Sequence, residues 1–117
     1  MKRKIVFYKL NNNVHPIRDF LDDLPGRVVQ KIIWVLKLLE EFNIIPQEYL
    51  KRITGTKFIW ECRIKFGSDS YRILCFFTAT NEIVLTNGFI KKTRKIPKCE
   101  IDKAEISRKD FLRSRKI

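Results

Sequence analysis

A chain of 117 residues suits one domain, expected to span residues 1–117, and a 44% hydrophobic fraction that includes nine Phe excludes a disordered basic tail. Twenty-five Lys and Arg against thirteen Asp and Glu leave a net charge of +12, which favours a polyanionic partner: nucleic acid, an anionic membrane surface or an acidic protein. No apolar run approaches the roughly 18 residues of a membrane span, and Ile5 to Leu10 is too short and polar for a signal-peptide core, so a cytoplasmic protein without membrane attachment is expected.

Ile5 to Leu10 reads as a first strand, ended by the turn cluster Asn11-Asn12-Asn13. His15 precedes a helix as a turn residue. Pro16 suits the first turn of that helix, and Ile17, Phe20, Leu21 and Leu24 follow at helical spacing until Pro25-Gly26 interrupts them. A longer helix is predicted from Arg27 to Phe42, with Val28, Ile32, Val35, Leu36, Leu39 and Phe42 on one wide apolar stripe. The two helices form a hairpin able to lie across a sheet. Asn43 to Thr56, which holds Pro46 and Gly55, is read as irregular.

Three strands follow. Phe58, Trp60, Cys62, Ile64 and Phe66 alternate with Ile59, Glu61, Arg63 and Lys65, so one face is apolar and the other largely charged. Arg72 opens a second apolar run to Phe77, and Ile83 to Ile90 forms a third, ending at Lys91-Lys92. The intervening Gly67-Ser68-Asp69-Ser70 and Thr78 to Asn81 suit hairpins, hence an antiparallel meander. Pro97 opens a last helix with a thin stripe of Ile101, Ala104, Arg108 and Phe111. The expected fold is an α/β sandwich of order β-α-α-β-β-β-α, a mostly antiparallel sheet with helices packed on one face. Trp34 and Trp60 are assigned to the core, Tyr71 to core or rim, and Cys62 and Cys75 act as small apolar side chains. Three cysteines without CxxC spacing and a single His exclude a disulfide framework and a zinc site, so no metal or cofactor is expected.

Cations placed on or beside an apolar sheet suit an anion, phosphate first among them. RNA cleavage without a metal needs a base for the 2′-hydroxyl proton, an acid for the departing 5′-oxygen and cations for the charged transition state. Arg63 and Arg72 suit the last role, because a guanidinium fork grips phosphate oxygens in two places. Lys51, Lys91 and Lys92 add charge, and a Lys whose pKa is depressed by neighbouring cations can also exchange protons. Glu61, two residues from Arg63 on the same strand face, is either a base or a structural partner for the arginines. Arg52, Lys65, Arg94 and Lys95 complete the candidate RNA contacts. Singly, each has a plain alternative: Arg63 with Glu61 as a surface ion pair, Arg72 as a snorkelling strand end, Lys91-Lys92 as solvated charge.

Trp60-Glu61-Cys62-Arg63, Tyr71-Arg72-Ile73-Leu74 and Gly88-Phe89-Ile90-Lys91-Lys92-Thr93 followed by Pro97 resemble the signature of the RelE/ParE toxin superfamily, in particular its phage-derived, HigB-like branch. The likeness extends over residues 3 to 112. It implies the toxin of a type II toxin–antitoxin pair that cuts mRNA on the ribosome, without a metal, by attack of the 2′-hydroxyl. By analogy Arg63 and Arg72 hold the scissile phosphate, while Lys51, Lys91 and Lys92 grip RNA or shuttle protons. The implied partners are a helix-turn-helix antitoxin, the ribosome and mRNA, and the free toxin is expected to be a monomer. Some nuclease members carry a Tyr or His near the chain end; here the last helix ends Lys109-Asp110-Phe111-Leu112-Arg113, which leaves the proton-transfer group open. The competing readings are a ParE-like inhibitor that binds DNA gyrase without cutting RNA, and a nucleic-acid-binding module without catalysis.

Overall fold

The computed structural model describes residues 2–115. Strand β1 (Lys4–Phe7) leads into helices α1 (Pro16–Asp22) and α2 (Gly26–Glu41). Strands β2 (Leu50–Arg52), β3 (Trp60–Phe66), β4 (Asp69–Phe77) and β5 (Glu82–Lys91) follow, and α3 (Lys98–Ser114) ends the chain. The five strands form one sheet in the order β1-β5-β4-β3-β2. Only β1 and β5 run parallel; the remaining neighbours are antiparallel. The expected mixed α/β sheet is present, with one strand more than predicted. β2 is three residues long, and only its Leu50 is buried, so it offers no alternation for a sequence reading to detect.

The alternation along β3 and β4 sorts side chains to two faces. Cys62, Ile64, Tyr71, Ile73 and Cys75 join Ile17 of α1 and Val28, Ile32, Val35, Leu36 and Leu39 of α2 in the larger core cluster. Leu74 packs instead with Ile53, Ile59 and Ala104 of α3, and Phe76 with Tyr8, Val84 and Phe111. The expectation that the helices share one face therefore holds for α1 and α2 and fails for α3, which covers part of the opposite face. Its thin stripe misleads because α3 covers only part of that face, and its ends are held by polar contacts. Tyr8 donates to Asp110 Oδ2 at 2.6 Å, Arg115 donates to both oxygens of Glu82 at 2.6 and 3.1 Å, and Asn87 donates to Glu100 Oε1 at 2.9 Å.

Two turns and one bulge fix the registers. Phe66 pairs with Asp69, so Gly67-Ser68 alone make the β3–β4 turn, tighter than the predicted four-residue connection, and Gly67 takes φ +61°. Between β4 and β5, Leu74 faces Asn87 while Cys75 faces Leu85, which leaves Thr86 as an extra residue. Thr86 is fully buried and its hydroxyl lies 3.0 Å from the Leu74 carbonyl and 2.7 Å from Asn87 Oδ1, so the bulge is internally satisfied. A one-residue bulge reverses the side-chain parity of everything after it. Without it Asn87, Phe89 and Lys91 would point toward α1 and α2; with it they point to the face shared by Arg72 and Glu61. Gly88 and Ile90 turn toward α1, and a Cβ at Gly88 would lie 2.4 Å from Phe20 Cδ2.

The core assignment fails for Trp34, which is 48% exposed, whereas Trp60 packs against the larger cluster and Tyr71 is buried. Trp34 sits on α2 beside Val35 but off the buried stripe, and Tyr49 of the following loop meets its ring without covering it.

Candidate nucleic-acid interface

The part of the sheet face that α3 leaves open carries three cross-strand rows. Lys51 opposes Glu61, Arg63 opposes Arg72, and Lys65 opposes Ser70. On the far side Arg72 opposes Phe89 and Ser70 opposes Lys91. Like charges directly opposite on a sheet repel, so the Arg63–Arg72 row needs a counter-ion. Glu61 supplies it. Arg63 Nε lies 3.0 Å and Arg72 Nε 3.2 Å from the same Glu61 oxygen, Oε1. The Arg72 contact is ionic without hydrogen-bond alignment at Nε, and its Nη1 donates to the Tyr71 carbonyl at 3.2 Å.

The two arginines differ in access. The Arg72 side chain is 7% exposed and that of Arg63 is 31% exposed. Arg63 is held from a second side, because its Nη1 donates to the Gln47 carbonyl at 3.2 Å and its backbone N–H to the Tyr49 carbonyl at 2.8 Å. The guanidiniums thus meet over one carboxylate, with Arg72 beneath and Arg63 at the surface.

A cleft of about 570 Å³ opens over this group. Lys51, Arg52, Arg63, Lys91, Arg94 and Lys95 line it together with the single acid Glu61, and Ile53, Ile96 and Ile101 give it an apolar wall. Six of the candidate cations therefore come together from β2, β3, β5 and the segment before α3. Within the cleft Arg52 is partly committed, since its Nη1 donates to the Thr56 carbonyl at 2.6 Å. Lys92 is exposed and lies outside the cleft lining, and Lys65 lies on the far side of Arg63. Arg72 does not line this cleft.

Lys91 has the distinctive electrostatics. Partial burial, followed by the nearby Arg72 and Arg63 charges, holds its ammonium pKa below the usual lysine range, against the opposing pull of Glu61. Burial also lowers the Arg72 pKa, with Glu61 acting the other way. A cleft crowded with cations and short of acids attracts an anion, and a lysine with a loosened proton can exchange it.

Sequence reasoning missed β2 as the strand that carries Lys51 and Arg52 into the cleft, and missed Gln47 and Tyr49 as anchors of Arg63. Backbone carbonyl contacts leave no trace in residue type. The Thr86 bulge has none either, although it decides which way Lys91 points.

No described helix is long and apolar enough to cross a membrane. A search of curated proteins finds no match to this chain. The model of one protein family, Phage derived protein Gp49-like (DUF891), matches residues 19–109, a stretch that contains every residue lining the cleft. The chain belongs to this phage-derived, RelE/toxin-like family.

Proposed function

We propose that this protein is the toxin of a type II toxin–antitoxin pair and acts as a ribosome-dependent mRNA endonuclease. The carrying observation is the cationic cleft, in which Arg63 stands over a buried Arg72–Glu61 pair with Lys51 and Lys91 on either side. In this reading the scissile phosphate docks on Arg63, and the exposed cations of the rim hold the neighbouring backbone. Lys91 in its neutral form takes the 2′-hydroxyl proton. The 2′-oxygen forms the new bond to phosphorus as the bond to the 5′-oxygen breaks, and Lys51 supplies the proton that the 5′-oxygen needs. The products are a 2′,3′-cyclic phosphate and a free 5′-hydroxyl. Glu61, with Oε1 shared by two guanidiniums, is a positioning residue, and Arg72 supports Arg63 from below. A helix-turn-helix antitoxin that covers the cleft would silence the toxin.

The test is a reconstituted translation reaction with end-mapped mRNA, run beside a gyrase supercoiling assay. Cuts that require the ribosome and disappear in Arg63→Ala and Lys91→Gln support the reading. Intact mRNA with lost supercoiling would replace it by a gyrase inhibitor of the same fold, and no effect in either assay would leave a binding module.

A further inference from the structure

Arg63 borders two depressions. On the side away from the cleft lies a smaller basin of about 340 Å³, lined by Lys31, Tyr49, Arg63, Lys65, Ser70 and Arg72, with Glu48 as its one acid among the described residues. Elements distant in sequence meet there: Lys31 comes from α2, Tyr49 from the loop before β2, and the others from the β3–β4 hairpin. Arg63 and Arg72 both reach this basin, and both already share Glu61. Neither Lys31 nor Lys65 forms an ion pair among the described residues. The basin therefore holds more positive charge than its own acids offset.

One aromatic ring, Tyr49, lines the basin, and Trp34 adjoins that ring from outside the lining. Tyr49 meets Trp34 edge to face, with centroids 5.8 Å apart at 75°. The Lys31 ammonium lies 5.1 Å from the Trp34 ring centre. Half of Trp34 is open to solvent even though it belongs to a helix with a complete buried stripe of its own. A basic groove edged by aromatic rings is the arrangement that holds single-stranded nucleic acid, with phosphates on the cations and bases on the rings. From Glu61 in the cleft to Lys65 in the basin is four residues of strand, about 13 Å, so one short strand can reach both.

We infer that this basin binds a second nucleotide of a single-stranded RNA whose neighbouring phosphate occupies the cleft. Lys31 and Lys65 hold its phosphate, and the Tyr49–Trp34 pair receives its base. The inference rests on the RNA reading given above. It adds Lys31, Tyr49 and Trp34 as substrate contacts that lie outside the reacting centre.

The test uses the whole protein and a mixed-sequence ribonucleotide pentamer at low salt. Amide chemical-shift mapping of the unmutated protein is expected to move Tyr49, Lys65 and Ser70 together with Thr54, Arg94 and Lys95. Lys31→Ala and Trp34→Ala, both away from the core, should each weaken pentamer affinity about tenfold, as loss of one phosphate contact or one stacked base does. Shifts confined to the cleft, with Lys51→Ala weakening binding and Lys31→Ala and Trp34→Ala leaving it unchanged, would overturn the second basin while the RNA reading stands. No detectable pentamer binding would overturn the second basin, while the translation reaction described above decides the RNA reading separately.

Discussion

Glu61 is the keystone of the site, and its removal gives the sharpest test of the electrostatic argument. Glu61→Leu leaves Arg63 free to turn to water, because its side chain is already 31% exposed. Arg72 has a much narrower exit: it only borders the smaller basin, its side chain is 7% exposed, and its remaining hydrogen bond goes to the Tyr71 carbonyl. At 3.2 Å the gross attraction across this pair is about 5 kcal/mol at an effective dielectric constant of ~20, most of it offset by desolvation. Losing one partner of a buried pair costs about 3–5 kcal/mol, because the other charge is stranded. For a domain of this size that corresponds to a fall in Tm of roughly 10–20 °C. Arg72→Met should cost less, since Glu61 keeps Arg63. The double variant Glu61→Leu/Arg72→Met should recover to within about 1 kcal/mol of the parent, as buried pairs replaced by apolar side chains commonly do. Thermal and urea unfolding of the four proteins measure the cycle. A Glu61→Leu variant within 1 kcal/mol of the parent, or a double variant less stable than Glu61→Leu alone, would refute the claim that Arg72 depends on this carboxylate.

The other predictions concern pH, packing and thiol access. With Lys91 as base, single-turnover mRNA cleavage should rise with pH through its lowered pKa and then level, and Lys91→Gln should show no cleavage at any pH on that profile. Glu82 is held down to about 2, first by its hydrogen bonds from Arg115 and then by Thr80 and Thr78, against burial. Its contribution to stability is complete above its ordinary value near 4.5 and is lost as pH falls toward 2; Glu82→Gln should flatten unfolding midpoints across that window. Gly88→Ala should destabilise by about 1–3 kcal/mol, because the new Cβ meets the Phe20 ring at 2.4–2.9 Å, and Phe20→Leu should recover part of the loss in urea denaturation. Of the three thiols, Cys99 is exposed and should react quickly with a thiol reagent. Cys62, pushed up to about 12 by burial, and Cys75, also raised, should react only on unfolding.

Much of the site is legible in the amino-acid sequence. Alternation in β3 put Glu61 and Arg63 on one face and Cys62 and Ile64 on the other, and the pairs and burial agree. Tyr71 and Arg72 were separated by the same parity, and they lie on opposite faces of β4. The helix breaks at Pro25-Gly26 and Pro97 were equally readable, because proline and glycine act through their own backbone. Less legible were features whose causes lie elsewhere in the chain. Trp34 reads as core from its chemistry, yet its position on α2 leaves it half exposed beside Tyr49. α3 reads as weakly amphipathic, and only the contacts of α3 and its C-cap with Leu74, Phe76, Asn87 and Glu82 show that it covers part of the second face.

The amino-acid order alone determined which side chains alternate, where helices start and stop, and that a large positive charge accompanies an apolar sheet. These are local properties, set by backbone stereochemistry and by the two- and 3.6-residue periods. What tertiary structure decided was convergence. The Thr86 bulge turned Lys91 onto the arginine face, three residues of β2 brought Lys51 beside it, and Glu61 joined two guanidiniums that sequence places nine residues apart. Each depends on strand register, and register is an agreement between distant segments that no single stretch of chain carries.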